Sequence, residues 1–90
     1  MYKIFPSSKF KKDLKIILKR GYDASLLAQI VTELSLGNKL DEKYQDHPLK
    51  GNYIGCRECH ITPDWLLIYK LQDDELILYL TRTGTHSDLF

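Results

Sequence analysis

The sequence predicts an α+β protein, a two-layer sandwich in which an N-terminal strand and an antiparallel helix hairpin precede a three-stranded antiparallel meander. Three observations carry this. Apolar residues recur at helical spacing twice within residues 8–36, three short apolar blocks bounded by turn residues fill 55–82, and only a few residues separate the two helical segments. Helices joined so closely fold back antiparallel, with both apolar stripes free to cover one face of a sheet. A chain of 90 residues is long enough for one core without disulfide or metal staples, so one domain spanning 1–90 is expected.

The elements follow in order. Tyr2-Lys3-Ile4-Phe5 alternates as a short strand that Pro6 stops. Ser7 or Ser8 then caps a helix whose Phe10, Leu14, Ile17 and Leu18 share one stripe, and Gly21 ends it. Asp23 can cap the next, where Leu26, Leu27, Ile30, Val31 and Leu34 keep the helical period until Leu36-Gly37-Asn38 closes it. Residues 39–52 lose all periodicity and read as an ordered loop, a length at which loops tend to carry function. Gly55 to Ile61, Trp65 to Leu71 and Leu76 to Arg82 read as strands, separated by Thr62-Pro63-Asp64 and Gln72-Asp73-Asp74-Glu75, with a short tail after Thr83-Gly84-Thr85. The middle strand is apolar on both faces and so central.

A net charge of +1 argues against a strongly basic nucleic-acid binder, but the average conceals an asymmetry. Residues 1–20 hold seven Lys or Arg against Asp13 alone, so the basic surface is local. No stretch approaches the ~20 apolar residues of a membrane span, and the N-terminus does not resemble an export signal; a cytoplasmic location is the default.

Cys56-Arg57-Glu58-Cys59-His60 spells the C-x-x-C-H spacing of haem attachment. Its context disagrees: the motif lies in a strand pattern, and the only methionine is Met1. Zinc is disfavoured as well, because on an extended strand Cys56 and His60 point to one face and Cys59 to the other. Neither a metal nor another cofactor is expected.

The histidines admit a third chemistry. His47 lies in the long connection, His60 before a hairpin turn and His86 just after the last strand, and strand ends can converge without sharing any spacing. Imidazole accepts or donates a proton near neutral pH, so two histidines support acid-base catalysis without a metal. Arg82 could hold a phosphate, Asp64 could orient a histidine, and Trp65 or Phe90 offers a ring for base stacking. The competing reading is three surface histidines, an aspartate filling a Pro-Asp turn and a tryptophan in the core. Strand parity adds a difficulty, since Arg82 shares a face with Leu80, Leu78 and Leu76 unless a bulge or strong twist intervenes.

Three segments, Asp46-His47-Pro48-Leu49-Lys50-Gly51, Gly55 through Tyr69, and Arg82 through Phe90, together resemble the RelE/ParE superfamily of bacterial type II toxins, in its YafQ-like branch. The resemblance implies an endoribonuclease that cuts mRNA in the ribosomal A site and is held inactive by a cognate antitoxin, through which the complex is expected to bind operator DNA. It implies a site of His47, His60, Asp64, Trp65, Arg82, His86 and Phe90. His47 and His86 form the expected acid-base pair, His60 and Asp64 position the phosphate or a tautomer, Arg82 binds the phosphate, and Trp65 and Phe90 contact the substrate. Lys9 and Lys12, with Lys11, Lys15 and Lys19, are either rRNA contacts or a solvated helix face. Within the same fold the alternatives are a non-enzymatic toxin that poisons gyrase, as in the ParE branch, or a binding module acting as corepressor.

Overall fold

In the computed structural model, which describes every residue from Met1 to Phe90, both helices form as their spacing dictates. Helix α1 covers Ser8–Lys19, and the Ser7 hydroxyl caps it by accepting from the Phe10 N–H at 2.9 Å. Helix α2 covers Ala24–Ser35, with the Asp23 carboxylate accepting from the Ser25 N–H. The turn between them needs Gly21 in the left-handed region, at φ +90°.

Five strands make one sheet: β1 (Lys3–Pro6), β2 (His47–Pro48), β3 (Arg57–Thr62), β4 (Trp65–Gln72) and β5 (Ile77–Gly84). Their order is β1-β5-β4-β3-β2. The meander β3-β4-β5 is antiparallel as expected, while β1 lies parallel to β5, which the chain reaches only after both helices and strands β2 to β4. Pro6 is tolerated because β1 is an edge strand.

Side chains alternate between two faces, and the helices cover only one. Trp65, Leu67 and Tyr69 of β4, Cys59 and Ile61 of β3, and Leu78 and Leu80 of β5 meet Phe10, Ile17, Leu27, Ile30 and Leu34 in the main core. Leu66 and Ile68 point the other way, where only Leu89 of the short helix α3 (His86–Leu89) joins them as a buried partner.

Two features depart from the expectation. The tail is helical: the Thr85 hydroxyl accepts from the Asp88 N–H and the Asp88 carboxylate accepts from the Thr85 N–H, a reciprocal cap on α3. The 39–52 connection carries two 3-10 turns, Glu42–Tyr44 and Gly51–Tyr53, around the two-residue strand β2.

Candidate active site

The open face of the sheet is built by register. His47 of β2 lies opposite Glu58 of β3, Glu58 opposite Ile68 of β4, and Ile68 opposite Arg82 of β5. His60 begins a neighbouring row with Leu66 and Gly84. His47 and Arg82 therefore stand three strand spacings apart, about 14 Å, with Ile68 as an apolar floor between them.

Arg82 reaches this face through a β-bulge. Ile68 pairs with Arg82 but the next residue, Tyr69, pairs with Leu80, so Thr81 is the extra residue and the parity of β5 reverses there. The parity difficulty raised by the sequence is resolved in this way. Strand β1 covers β5 only as far as Leu80, and beyond it the start of α1 serves the free edge. Ser7 donates to the Thr81 carbonyl at 2.8 Å, and the Asp13 carboxylate accepts from the Thr83 N–H at 3.1 Å. The same carboxylate takes a two-pronged hydrogen bond from Arg82, at 2.7 and 3.0 Å, which pushes the guanidinium pKa further up and fixes its plane. Nη1 is left toward the open face, with the Tyr53 hydroxyl at 3.5 Å.

At the other end of the row stands Glu58, only 4% exposed. Its Oε1 lies 3.6 Å from His47 Nε2 and 3.8 Å from His60 Nε2, while Oε2 is buried with no hydrogen-bond partner. These distances are too long for direct hydrogen bonds but within ion-pair range. A buried carboxylate is unfavourable unless charge or hydrogen bonds compensate it, and two imidazoles supply that compensation when they carry protons. His47 Nδ1 lies 2.7 Å from the Gln45 carbonyl. A carbonyl only accepts, so Nδ1 carries the hydrogen and Nε2 of neutral His47 is free to take a proton.

Helix α3 brings the remaining groups. His86 and Phe90 are exposed, with ring centroids 5.1 Å apart, and Phe90 meets Tyr53 edge-on at 5.9 Å. Arg82, Tyr53, Phe90 and His86 thus form a continuous string beside the apolar floor. Arg20 clamps Asp88 from the end of α1 at 2.7 and 3.1 Å, holding the Asp88 carboxyl well below the usual carboxylate range. Gly84 leaves room for this docking, since a Cβ there would lie 3.0 Å from the Asp88 Cβ.

Of the residues expected at the site, His47, His60, Arg82, His86 and Phe90 share the open face. Two do not. Trp65 is 0% exposed in the main core, its indole N–H donating to the Thr83 hydroxyl at 2.8 Å, so the expected stacking role is corrected to a packing one. Asp64 sits on the β3–β4 turn, where it accepts from Tyr22 at 2.7 Å and Thr62 at 2.9 Å; these bonds lower its pKa and tie it toward the helix hairpin rather than to a histidine. Lys9 and Lys12 are exposed on α1, in the turn leading to Asp13. Glu58 was missed because one glutamate in a polar stretch carries no signal until β2 is known to pair with β3. Asp13 and Asp88 were missed because their arginine partners lie 69 and 68 residues away.

Cys59 is fully buried on the helix side and its thiol is pushed up to about 12 by that burial, whereas Cys56 packs against the Leu66 cluster on the opposite face. No group of three or more His, Cys, Asp or Glu side chains is arranged to hold a metal ion.

Residues 2–90 match the family model described as a bacterial toxin of type II toxin-antitoxin systems, YafQ. The chain belongs to the YafQ toxin family. Among YafQ relatives, it is 44% identical over 86 residues to the mRNA interferase toxin YafQ of Escherichia coli K12, covering 93% of this chain and 90% of that protein. The fold superposes with a TM-score of 0.89 on the toxin of the E. coli DinJ-YafQ complex, at 42% identity, covering 100% of this chain and 99% of that one. A metal-bound toxin from Helicobacter pylori matches at TM-score 0.93 and 49% identity over the full length of both chains. The expected strand, helix hairpin and meander is thus the architecture of YafQ structures.

Proposed function

We propose that this YafQ-family toxin is an endoribonuclease that cleaves mRNA by driving the 2′-OH onto the adjacent phosphate, and that a cognate antitoxin holds it inactive. The observation that supports it best is the open-face row, with two histidines flanking a buried Glu58 at one end and Arg82 held rigid by Asp13 at the other. RNA brings its own nucleophile, so the protein needs only to move protons and stabilise charge. A base removes the 2′-OH proton, the 2′-oxygen bonds to phosphorus, and the P–O5′ bond breaks as an acid protonates O5′. The products carry a 2′,3′-cyclic phosphate and a 5′-OH.

His47 and His86 are the acid-base pair, His60 with Glu58 places charge beside the phosphate, and Arg82 Nη1 contacts a phosphate oxygen. Phe90, 59% exposed, stacks on a base. Lys9, Lys12 and their neighbours are exposed on α1, the helix whose Asp13 holds Arg82, and they hold the RNA backbone, of mRNA or of the ribosomal A site, by charge. The whole chain acts as one toxin domain in the cytoplasm, where translating ribosomes are, and with its antitoxin it binds operator DNA. No helix is long and apolar enough to cross a membrane.

The test adds purified protein to a translation reaction and maps mRNA breaks, in parallel with His86→Gln. Codon-spaced breaks ending in a 2′,3′-cyclic phosphate are expected, slowed about 10²- to 10⁴-fold in the variant with its melting temperature unchanged. Full cleavage by the variant removes His86 from the mechanism. Intact mRNA together with arrested replication would favour a gyrase poison instead.

A further inference from the structure

We propose that Asp46, with Tyr69 and Arg57, is a positioning device that fixes the tautomer and direction of His47. The inference rests on the reading of His47 as an acid-base residue, but its geometry is separate. Gln45, just before Asp46, sits in the left-handed region at φ 50°, ψ 43°. For a residue with a Cβ that conformation is unfavourable and persists only where the surroundings over-determine it. Gln45 closes the 3-10 turn Glu42–Tyr44, its N–H donating to the Glu42 carbonyl at 3.0 Å, and on its other side Asp46 is held by its carboxylate. Asp46 Oδ1 accepts from the Tyr69 hydroxyl at 2.6 Å and from Arg57 Nε at 3.2 Å.

Tyr69 belongs to β4 and is 1% exposed among the main-core residues, so it ties Asp46 to the most rigid part of the sheet. Arg57 comes from β3, the strand that carries Glu58 and His60. Burial and the Asp46 carboxylate both push the Tyr69 phenol up, which keeps it a hydrogen donor at any working pH.

The consequence falls on the next residue. Successive side chains point to opposite sides where the chain enters β2, so pinning Asp46 directs His47 toward Glu58 on the open face. The left-handed Gln45 also aims its carbonyl at His47 Nδ1, at 2.7 Å, which holds the hydrogen there and leaves Nε2, 3.6 Å from Glu58 Oε1, as the nitrogen that exchanges a proton. Once Asp46 is released, Gln45 relaxes to an ordinary conformation, its carbonyl turns away, and the hydrogen moves to Nε2, where it blocks the base. The segment thus joins a buried anchor to an exposed catalytic group through one backbone carbonyl.

The experiment uses the full chain as Asp46→Ala and Tyr69→Phe, with two readouts. Imidazole ¹⁵N chemical shifts report the His47 tautomer without reference to activity. The expected result is an Nδ1–H signature for His47 in the wild type, lost in both variants while the His60 shifts stay unchanged. Cleavage should fall about 10- to 10²-fold in kcat with KM little changed, the size of effect expected from a misplaced catalytic group. A His47 that keeps its Nδ1–H signature in a folded Tyr69→Phe protein overturns the inference, and so does unaltered kcat. Tyr69→Phe keeps the ring in the core, so it decides the matter if Asp46→Ala fails to fold. If the wild type cleaves no RNA, the ribonuclease reading fails while the tautomer shifts still decide the positioning claim.

Discussion

The two faces of the sheet are built to opposite rules. The helix-covered face gathers a core cluster of 13 buried residues, in which even the Trp65 indole N–H finds an acceptor. The open face buries a cluster of only three, Leu66, Ile68 and Leu89, and surrounds it with His47, His60, Arg82 and His86. On this face stands the buried carboxylate oxygen without a hydrogen-bond partner, Glu58 Oε2. One face supplies stability through apolar burial, and the other spends part of it to hold charge in place. The lesson is a division of labour by strand parity: along β3, Cys59 and Ile61 stabilise while Glu58 and His60 face the candidate site.

The division can be broken by substitution, and the largest effect is expected at its core. Leu67→Ala, at a position 0% exposed, should cost about 2 to 5 kcal/mol in denaturant unfolding with cleavage per folded molecule unchanged. A large loss of specific activity in the folded variant would show that the faces are coupled. Thr83→Val should act more mildly. It removes the acceptor for the Trp65 N–H and the donor to the Leu66 carbonyl, at 2.8 and 2.7 Å, and leaving those groups unmatched costs about 1 to 3 kcal/mol. Because Thr83 adjoins Arg82 in sequence but points to the opposite face, altered cleavage without altered stability would contradict the parity argument.

The smallest effect lies where α3 is tied to α1. Asp88 has a folded pKa depressed first by Arg20 and then by the Thr85 N–H. Its contribution is therefore fully present above the ordinary aspartate value of about 3.9, and is lost as pH falls through the lower folded value. The partly exposed pair is worth little at high salt. Thermal melts should place the wild type slightly above Asp88→Asn at neutral pH, with the gap closing only in strong acid. A gap that widened on acidification would reverse the sign of this linkage.

Much of the fold was legible because local rules agreed with one another. Ser7, Asp23 and Gly21 terminate their helices as their chemistry requires, and the apolar periods of both helices match the buried face except at Leu18, which is 41% exposed. Helix α3 left a local trace too, since Thr85 followed three residues later by Asp88 has the spacing of a reciprocal cap; four residues with no apolar period obscured it. The grouping of side chains at the candidate site was less legible. Residue type marked His47, His60, Arg82 and His86, but it equally marked Asp64 and Trp65, whose side chains serve the helix hairpin and the core.

What the sequence determined by itself was the set of elements, because helix and strand periods, caps and turns are properties of neighbouring residues. What the tertiary structure decided was which chemistry shares a surface. The bulge at Thr81 sends Arg82 to the open face, β2 pairing sets His47 against Glu58, Asp13 fixes the Arg82 guanidinium, and Asp46 is tied to Tyr69. Each of these depends on strand register or on partners far apart in the chain, and a period-two pattern carries no record of which strand lies beside which.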